Sequence, residues 1–253
     1  TQRAGRAGRL SAGKAVRLWH EGQTQSMPAH DIPAIKNSDL TSLVLHLAEW
    51  GVSDPQSLRW LSPPPEAAFQ EAKALLERLG ALTNQHLLSA HGRAMSKTGL
   101  APRPAHMVIH VSNIAPHQTQ TAGVLALLLQ EKGLGGRSID VTQRLRSCLQ
   151  SSEDRARKVI VAAKALIGRL SSPVNDNRAE DVSEGLMLAF AYPDRVAQQM
   201  GVSQQGLVRY RLANGRGAEI EATEPLAREP YVVVVDMVGR AGAARIVAAA
   251  GIS

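Results

Sequence analysis

The apolar pattern of this chain changes period along its length, and that change constrains the fold more than any other feature. From Ser38 to Ala191 apolar residues recur mainly at helical spacing, whereas from Leu207 onward they alternate or run together as strand interiors do. Such a chain builds a mainly helical body followed by a small β domain. Its 253 residues exceed what one hydrophobic core usually organises, so one large domain or two to three small ones are expected. A 44% hydrophobic share supplies the apolar side chains those cores need.

The helical signals begin at Ser38-Asp39, where a capping residue precedes Leu40, Leu43, Val44, Leu47 and Trp50, and Gly51 closes the run. Asp54-Pro55 opens a second short helix through Trp60-Leu61. Pro63, Pro64 and Pro65 then interrupt, and Glu66 to Leu79 makes a third helix ended by Gly80. Ala81-Leu82 and His86 to Ser89 flank a polar turn and read as a two-stranded wing, so the expected order over this part is that of a winged helix. Gln120 to Lys132, Asp140 to Gln150 and Glu153 to Leu170 are further helices, which together read as a bundle. A helix from Ser183 to Ala191 precedes the β domain. There Leu207 to Leu212 and Ala218 to Ala222 flank the hairpin signal Asn214-Gly215, while Tyr231 to Val235 and Ala244 to Ala249 add strands, plausible for a barrel.

Several classes are excluded by composition. Eight aromatic residues are too few for a nucleic-acid platform built mainly on base stacking. One cysteine, Cys148, rules out an internal disulfide framework and a multi-cysteine zinc site. Uninterrupted apolar stretches such as Val124 to Leu129 are far shorter than the roughly 20 residues a membrane helix needs. The formal net charge of +7 points to an anionic partner, and it is unevenly placed. Residues 1–36 carry an excess of +4 and residues 101–182 another +4, against −1 and 0 elsewhere. The chain starts with Thr1 inside a dense motif, which reads as a piece of something longer.

That motif is Gln2-Arg3-Ala4-Gly5-Arg6-Ala7-Gly8-Arg9, followed by a short apolar set, Ala15, Val16, Leu18 and Trp19, with strand character. Two glycines three apart allow backbone to approach a ligand, and three arginines at the same spacing would line one side of a helical turn. A guanidinium offers planar paired hydrogen bonds to phosphoryl oxygens and stays charged at any working pH. Composition alone is equally compatible with a solvated Arg-Gly arm that binds nucleic-acid backbone without chemistry. Residues 21–36, with Pro28 and Pro33, read as a linker.

The register resembles motif six of the DEAH-box branch of superfamily-two helicases, Gln-Arg-x-Gly-Arg-x-Gly-Arg, matched at Gln2, Arg3, Gly5, Arg6, Gly8 and Arg9. The stretches Asn37 to Gly51, Trp60 to Pro65, Leu79 to Leu82, Leu188 to Ala197 and Leu212 to Ala218 are similar to the bacterial HrpB-type ATP-dependent RNA helicases. The resemblance implies that Gln2, Gly5, Arg6 and Arg9 face ATP, with Gln2, Arg6 and Arg9 reaching the γ-phosphate between two RecA-like domains and Arg6 and Arg9 as catalytic arginine fingers. Arg3 then supports the loop.

It further implies 3′-to-5′ translocation on single-stranded RNA or another nucleic acid in the bacterial cytoplasm, with no role for a membrane. The implied division is the edge of a second RecA-like α/β domain with its linker (1–36), a winged helix (37–99), a helical ratchet-like bundle (100–182) and an OB-like β domain (183–253). The sequence holds no Gly-x-x-x-x-Gly-Lys-Ser/Thr loop and no Asp-Glu-x-His box. ATP with Mg2+ would therefore be held largely by a RecA-like core elsewhere in the same polypeptide, and these residues alone should not hydrolyse ATP.

The basic face of Glu153 to Leu170 supplies Arg155, Lys158 and Arg169 as candidate nucleic-acid contacts, against the alternative of a solvated helix face. His106 and His110, four apart with His117 nearby, outline a zinc site only superficially, since no glutamate or cysteine supports them; ordinary surface or helix-end histidines fit better, and no metal site is assigned. Gly133-Leu-Gly-Gly136 follows a helix rather than a strand and reads as an interhelical turn. Arg144 and Arg146 beside Cys148 could activate its thiol, but a buried helix cysteine is the commoner case. The rival functional classes are a winged-helix nucleic-acid-binding regulator with an Arg-Gly arm and an interaction scaffold. The first is weakened by its recognition helix, where Lys73 and Arg78 face Glu66, Glu71 and Glu77.

Overall fold

The structure is a computed structural model that describes residues 2–27, 31–170, 180–203, 206–239 and 244–252, the side chains of Gln2, Arg3 and Gln25 excepted. It divides into two compact units, Thr1–Ser38 and Asp39–Ser253. In the first, α1 (Gln2–Arg6) and α2 (Glu21–Ser26) are joined by an open segment. The strand expected over Ala15 to Trp19 does not form. The segment has no pairing partner among the described residues, and Val16, Leu18 and Trp19 stay exposed. A strand without a neighbour leaves its backbone groups to water and gains nothing from extension. The linker's Pro28 lies outside the described residues.

The second unit opens with α3 (Thr41–Glu49), at whose start the Asp39 Oδ1 accepts from the Thr41 amide at 2.8 Å. The helix expected through Leu61 is only a 3₁₀ turn, Pro55–Ser57. Its chain folds back instead, the Trp60 indole N–H donating to the Pro55 carbonyl at 2.6 Å, and three prolines beyond it have no amide to continue a helix. Two α-helices therefore precede the hairpin, α3 and α4 (Glu66–Arg78), and the hairpin is a single bridge, Leu82 to Leu88. The third helix follows it as α5 (Ala90–Lys97). Phe69, Leu76, Leu79 and Met95 fill the space between these helices, each fully buried large apolar side chain contributing about 2 kcal/mol.

Next come α6 (Pro102–Ile114), α7 (Thr119–Leu128), α8 (Val141–Gln150), α9 (Asp154–Ile167) and α10 (Glu184–Ala191). Asp140 and Ser183 cap α8 and α10 through their side-chain oxygens. Helix α6 was not expected from pattern. Pro102 and Pro104 disguise it, yet in a first turn the missing amides cost nothing because they would have no intrahelical partner.

Five strands complete the unit: β1 (Val196–Val202), β2 (Leu207–Leu212), β3 (Gly217–Glu221), β4 (Tyr231–Val238) and β5 (Ala244–Gly251). Their pairings close into a ring in the order β1-β2-β3-β5-β4, with β4 returning to β1. All pairs are antiparallel except β3 with β5. The valine run of β4 is explained by burial on both faces: Val232 and Val234 enter the sheet interior, while Val233 and Val235 join the core of α6 to α10. On β5 the outward residues Ala248 and Ala250 are small, so α10 packs close to the sheet. At Gly185 the approach is so near that a Cβ would come within 1.9 Å of the Gly251 carbonyl oxygen.

Candidate nucleotide and nucleic-acid interfaces

In Thr1–Ser38 the arginine row lies on α1 and just beyond it. Arg6 ends the helix and Arg9 follows in a bend, so the row does not continue along one helical face as its spacing suggested. Both side chains are exposed, and neither forms an ion pair among the described residues. A Cβ built at Gly5 or Gly8 would meet nothing within 4 Å, so the backbone between the arginines is open to a ligand. The chain then folds back at Gly13, where a Cβ would come within 1.7 Å of the Ala7 carbonyl oxygen. That closure holds the short basic turn. The side chains of Gln2 and Arg3 lie outside the described residues, so the roles expected of them rest on sequence alone. The chemistry on offer is a pair of exposed cationic donors beside bare backbone, which fits a phosphoryl group.

The second basic element is α9. Its buried side, Ala156, Val159, Ala163 and Leu166, packs into the bundle, and its basic residues are exposed. They are not equivalent. Arg155 donates to Glu131 at 3.0 Å and to the Lys132 carbonyl at 3.2 Å, clamping α9 to the end of α7. Arg157 is held by Asp154 at 2.6 Å. Lys158 and Arg169 form no ion pair among the described residues, and Lys158 lines a groove of about 250 Å³ with Leu127, Gln130 and Val159.

Two clusters joining distant parts of the sequence were not legible as such. His91 of α5 shares a hydrogen bond with His106 of α6 at 2.8 Å, His106 stacks on His110 with ring centroids 5.5 Å apart, and His110 meets the Phe190 ring of α10 edge-on. Burial lowers the pKa of all three, and His106 falls to about 4, its two neighbours adding to the burial effect against a backbone hydrogen bond at Leu79. These are packing histidines held neutral rather than surface or helix-end groups. His117 stands apart, 2.7 Å from Asp181, and no group of three potential metal ligands occurs among the described residues. Cys148 is buried, and burial pushes its thiol pKa up, opposite to activation. Gly133, Gly135 and Gly136 adopt positive φ in the turn between α7 and α8.

The other cluster is built around Arg103. Its guanidinium donates to Asp194 at 2.6 and 3.0 Å and to the Ala191 carbonyl at 3.1 Å. The guanidinium groups of Arg103 and Arg195 both lie over the Tyr192 ring, at 5.0 and 5.3 Å from its centre. Arg195 donates onward to the Val235 carbonyl of β4 at 2.7 Å. Burial alone would raise the Asp194 pKa, but the Arg103 hydrogen bonds and charge outweigh it and hold the carboxyl below its ordinary value. The cluster fastens α6, α10 and the sheet to one another. Tyr192-Pro193-Asp194-Arg195 stood out in the sequence, but its partner 91 residues upstream did not.

Set beside known proteins, no family model matches the chain. It is 36% identical over 233 residues to the ATP-dependent RNA helicase HrpB of Escherichia coli, covering 92% of this chain and 27% of that protein. It is 35% identical over 113 residues to a probable ATP-dependent RNA helicase of Saccharomyces cerevisiae, DHR2, covering 45% of this chain and 15% of that one. Crystal structures of Escherichia coli HrpB, described as a DExH-box NTPase and as a DEAH/RHA helicase, match the whole chain with TM-scores of 0.74 and 0.75 at 31% and 30% identity. The chain covers 29% and 30% of them.

The fold and the arginine motif thus place this chain in the class of DEAH-box helicase sequences. Within that class it belongs to the HrpB-type family, of whose curated Escherichia coli member it spans about a quarter. No helix among the described residues is long and apolar enough to cross a membrane.

Proposed function

We propose that this chain is the motif-six and accessory-domain portion of an ATP-dependent RNA helicase of 3′-to-5′ polarity, working in one polypeptide with a RecA-like core in the bacterial cytoplasm. The observation that carries the reading is the motif Gln2 to Arg9, all six defining positions matched, in a chain 36% identical to HrpB over 233 residues. ATP bound with Mg2+ would supply the phosphoanhydride to be hydrolysed. Arg6 and Arg9 present cationic donors where negative charge grows on the γ-phosphoryl oxygens, Gln2 adds a polar contact there, and Gly5 keeps the backbone open. The metal is assigned to the RecA-like core, because residues 1–36 have only Glu21 and Asp31 as acids. These 253 residues by themselves are proposed to be inactive as an ATPase.

The proposed division follows from this reading: residues 1–36 as the edge of the second RecA-like domain, 37–99 as the winged helix, 100–182 as the ratchet-like bundle and 183–253 as an OB-like barrel. The strand order β1-β2-β3-β5-β4 with its closing pair supports the last of these. Lys158 and Arg169 are proposed to follow the backbone of a single RNA strand, with Arg155 contributing mainly by fixing α9 on α7. Backbone contacts of this kind make binding sequence-tolerant and salt-sensitive.

The test is RNA-stimulated ATP turnover by Arg6→Ala and Arg9→Ala variants of the polypeptide that carries this chain with its nucleotide-binding core. Turnover falls while nucleotide binding persists; unchanged turnover removes the finger assignment.

A further inference from the structure

The turn between β2 and β3 carries chemistry that the helicase reading leaves unused. Asn214-Gly215 is the one Asn-Gly pair in the sequence. An asparagine side-chain amide is lost when the main-chain nitrogen of the next residue attacks its Cγ, and glycine, with no Cβ, shields that nitrogen least. The other asparagines all precede larger residues: Asn37-Ser38, Asn84-Gln85, Asn113-Ile114, Asn175-Asp176 and Asn177-Arg178. Asn113 is in addition part of α6, where the next nitrogen is committed to the helix.

The fold holds Asn214 in a shape suited to that attack. Two main-chain hydrogen bonds close the loop, the Gly215 amide donating to the Leu212 carbonyl and the Leu212 amide to the Arg216 carbonyl, each at 2.9 Å. Gly215 has a φ of 83°, a conformation that favours glycine, and both Asn214 and Gly215 are exposed to water. The Asn214 Oδ1 accepts from the Arg216 amide at 3.1 Å, which curls the side chain back over the Gly215 nitrogen lying between them. The same N–H polarises the side-chain carbonyl and is placed to stabilise negative charge growing on Oδ1 during attack.

We propose that Asn214 is the first asparagine of the folded chain to deamidate, and that this turn is a modification site whose isoaspartyl product disrupts the sheet. The Gly215 nitrogen, its proton passed to solvent, bonds to the Asn214 Cγ; the Cγ–Nδ2 bond breaks, ammonia leaves and a five-membered succinimide closes. Water then opens the ring at either carbonyl. Attack at Cγ restores the main chain and leaves aspartate, whereas attack at the main-chain carbonyl leaves isoaspartate. One water is consumed and one ammonia released, with no change of oxidation state.

The two products differ in consequence. Aspartate keeps the main chain, and its carboxylate still accepts from the Arg216 amide. Isoaspartate runs the main chain through Cβ and Cγ and lengthens it by one methylene. A loop this short cannot absorb the change, so the Leu212–Arg216 hydrogen bond and the register of Arg211 with Gly217 and of Tyr210 with Ala218 must shift. The turn is also tied to its surroundings, the Asn214 amide donating to the Asp194 carbonyl at 3.1 Å and the Ala213 amide to the Val196 carbonyl at 2.8 Å. Loosening therefore spreads from the hairpin to the segment that carries Asp194 and to the start of β1.

The experiment is to age the 253-residue chain in warm, mildly alkaline buffer, digest it and follow each asparagine by mass spectrometry. The peptide containing Asn214 gains about 1 Da before any other does, takes up heavy oxygen from labelled water and becomes a substrate for an isoaspartyl carboxyl methyltransferase. Asn214→Ser shows none of this and melts as the parent does. Freshly prepared Asn214→Asp also melts as the parent does, whereas the isoaspartyl fraction of the aged chain, separated chromatographically, melts several degrees lower. If Asn214 stays intact in the folded chain but deamidates once the chain is unfolded in urea, the turn protects it and the proposal is overturned. Earlier change at any other asparagine overturns it as well, and an isoaspartyl form that melts like the parent removes the effect on the sheet.

Discussion

Arg6 and Arg9 of one unit and Arg103 of the other occupy opposite environments. In Thr1–Ser38, Arg6 and Arg9 are exposed, unpaired among the described residues and set among glycines with open backbone. In Asp39–Ser253, Arg103 is 9% exposed, donates to a carboxylate and a carbonyl, and stacks against Tyr192. A buried guanidinium must be paired, since leaving either partner uncompensated in a poorly solvated site is expensive. An exposed one loses little by standing alone and keeps its donors for a ligand. Pairing therefore marks Arg103 as a residue of the fold, whereas Arg6 and Arg9, like Arg169 in the second unit, keep their donors free for the ligands proposed above.

The sharpest way to break that contrast is at Arg103. Arg103→Ala takes from Asp194 its two close donors and leaves only Arg195 at 3.9 Å, and breaking such a pair costs up to about 3 kcal/mol, visible as a large fall in the denaturation midpoint by urea. A variant as stable as the parent would show that the cluster fastens nothing.

Next in size is the histidine stack, which joins α5, α6 and α10 without charge. The folded-state pKa of His106 is lowered from 6.5 to about 4, so its contribution is fully present above pH 6.5, is lost as pH falls from there toward 4, and stays flat below. After allowance for partial exposure, the loss is on the order of 2 kcal/mol. His106→Leu flattens this part of the stability profile, and an unchanged acid slope in that variant assigns the sensitivity elsewhere.

Tyr210 sharpens the comparison for a neutral group. Its buried hydroxyl donates between the Leu226 and Glu229 carbonyls at 3.0 and 2.8 Å, and burial pushes its pKa up to about 12. Tyr210→Phe should cost about 1–2 kcal/mol because both carbonyls lose their donor. Smallest of all is Arg157→Ala, which removes an exposed pair with Asp154 and changes stability by less than about 0.5 kcal/mol. A larger loss would mean that exposed pairing matters to the fold more than the contrast allows.

Much of this was legible in the sequence where one local signal decided the outcome. The helical pattern of Asp140 to Gln150 and of Ser183 to Ala191 was readable, and the structure adds the caps at Asp140 and Ser183, while Asn214-Gly215 announced the turn between β2 and β3. Readings failed where the deciding partner was distant or the segment was mixed. Val16, Leu18 and Trp19 have strand character but no neighbour to pair with among the described residues. β1 was missed because Gln198, Gln199 and Gly201 dilute its alternation and a bulge shifts its register there. Helix α5 was missed because Ala90 to Lys97 contains a glycine and few apolar residues, its burial resting on Gly92 and Met95.

The candidate site divides in the same way. The resemblance that singles out Gln2, Arg6 and Arg9 is carried by register alone, whereas the engagement of Arg155 with Glu131 appears only once the chain is folded.

The claim that unpaired arginines here serve a ligand is tested most directly by RNA-stimulated ATP turnover of the Arg6→Ala/Arg9→Ala variant, in the polypeptide that joins this chain to its nucleotide-binding core. The account predicts a fall of about 10³-fold or more, the range expected for lost arginine fingers, with the melting temperature unchanged. Turnover close to that of the parent, or a loss of turnover accompanied by a fall in melting temperature like that of Arg103→Ala, would contradict it.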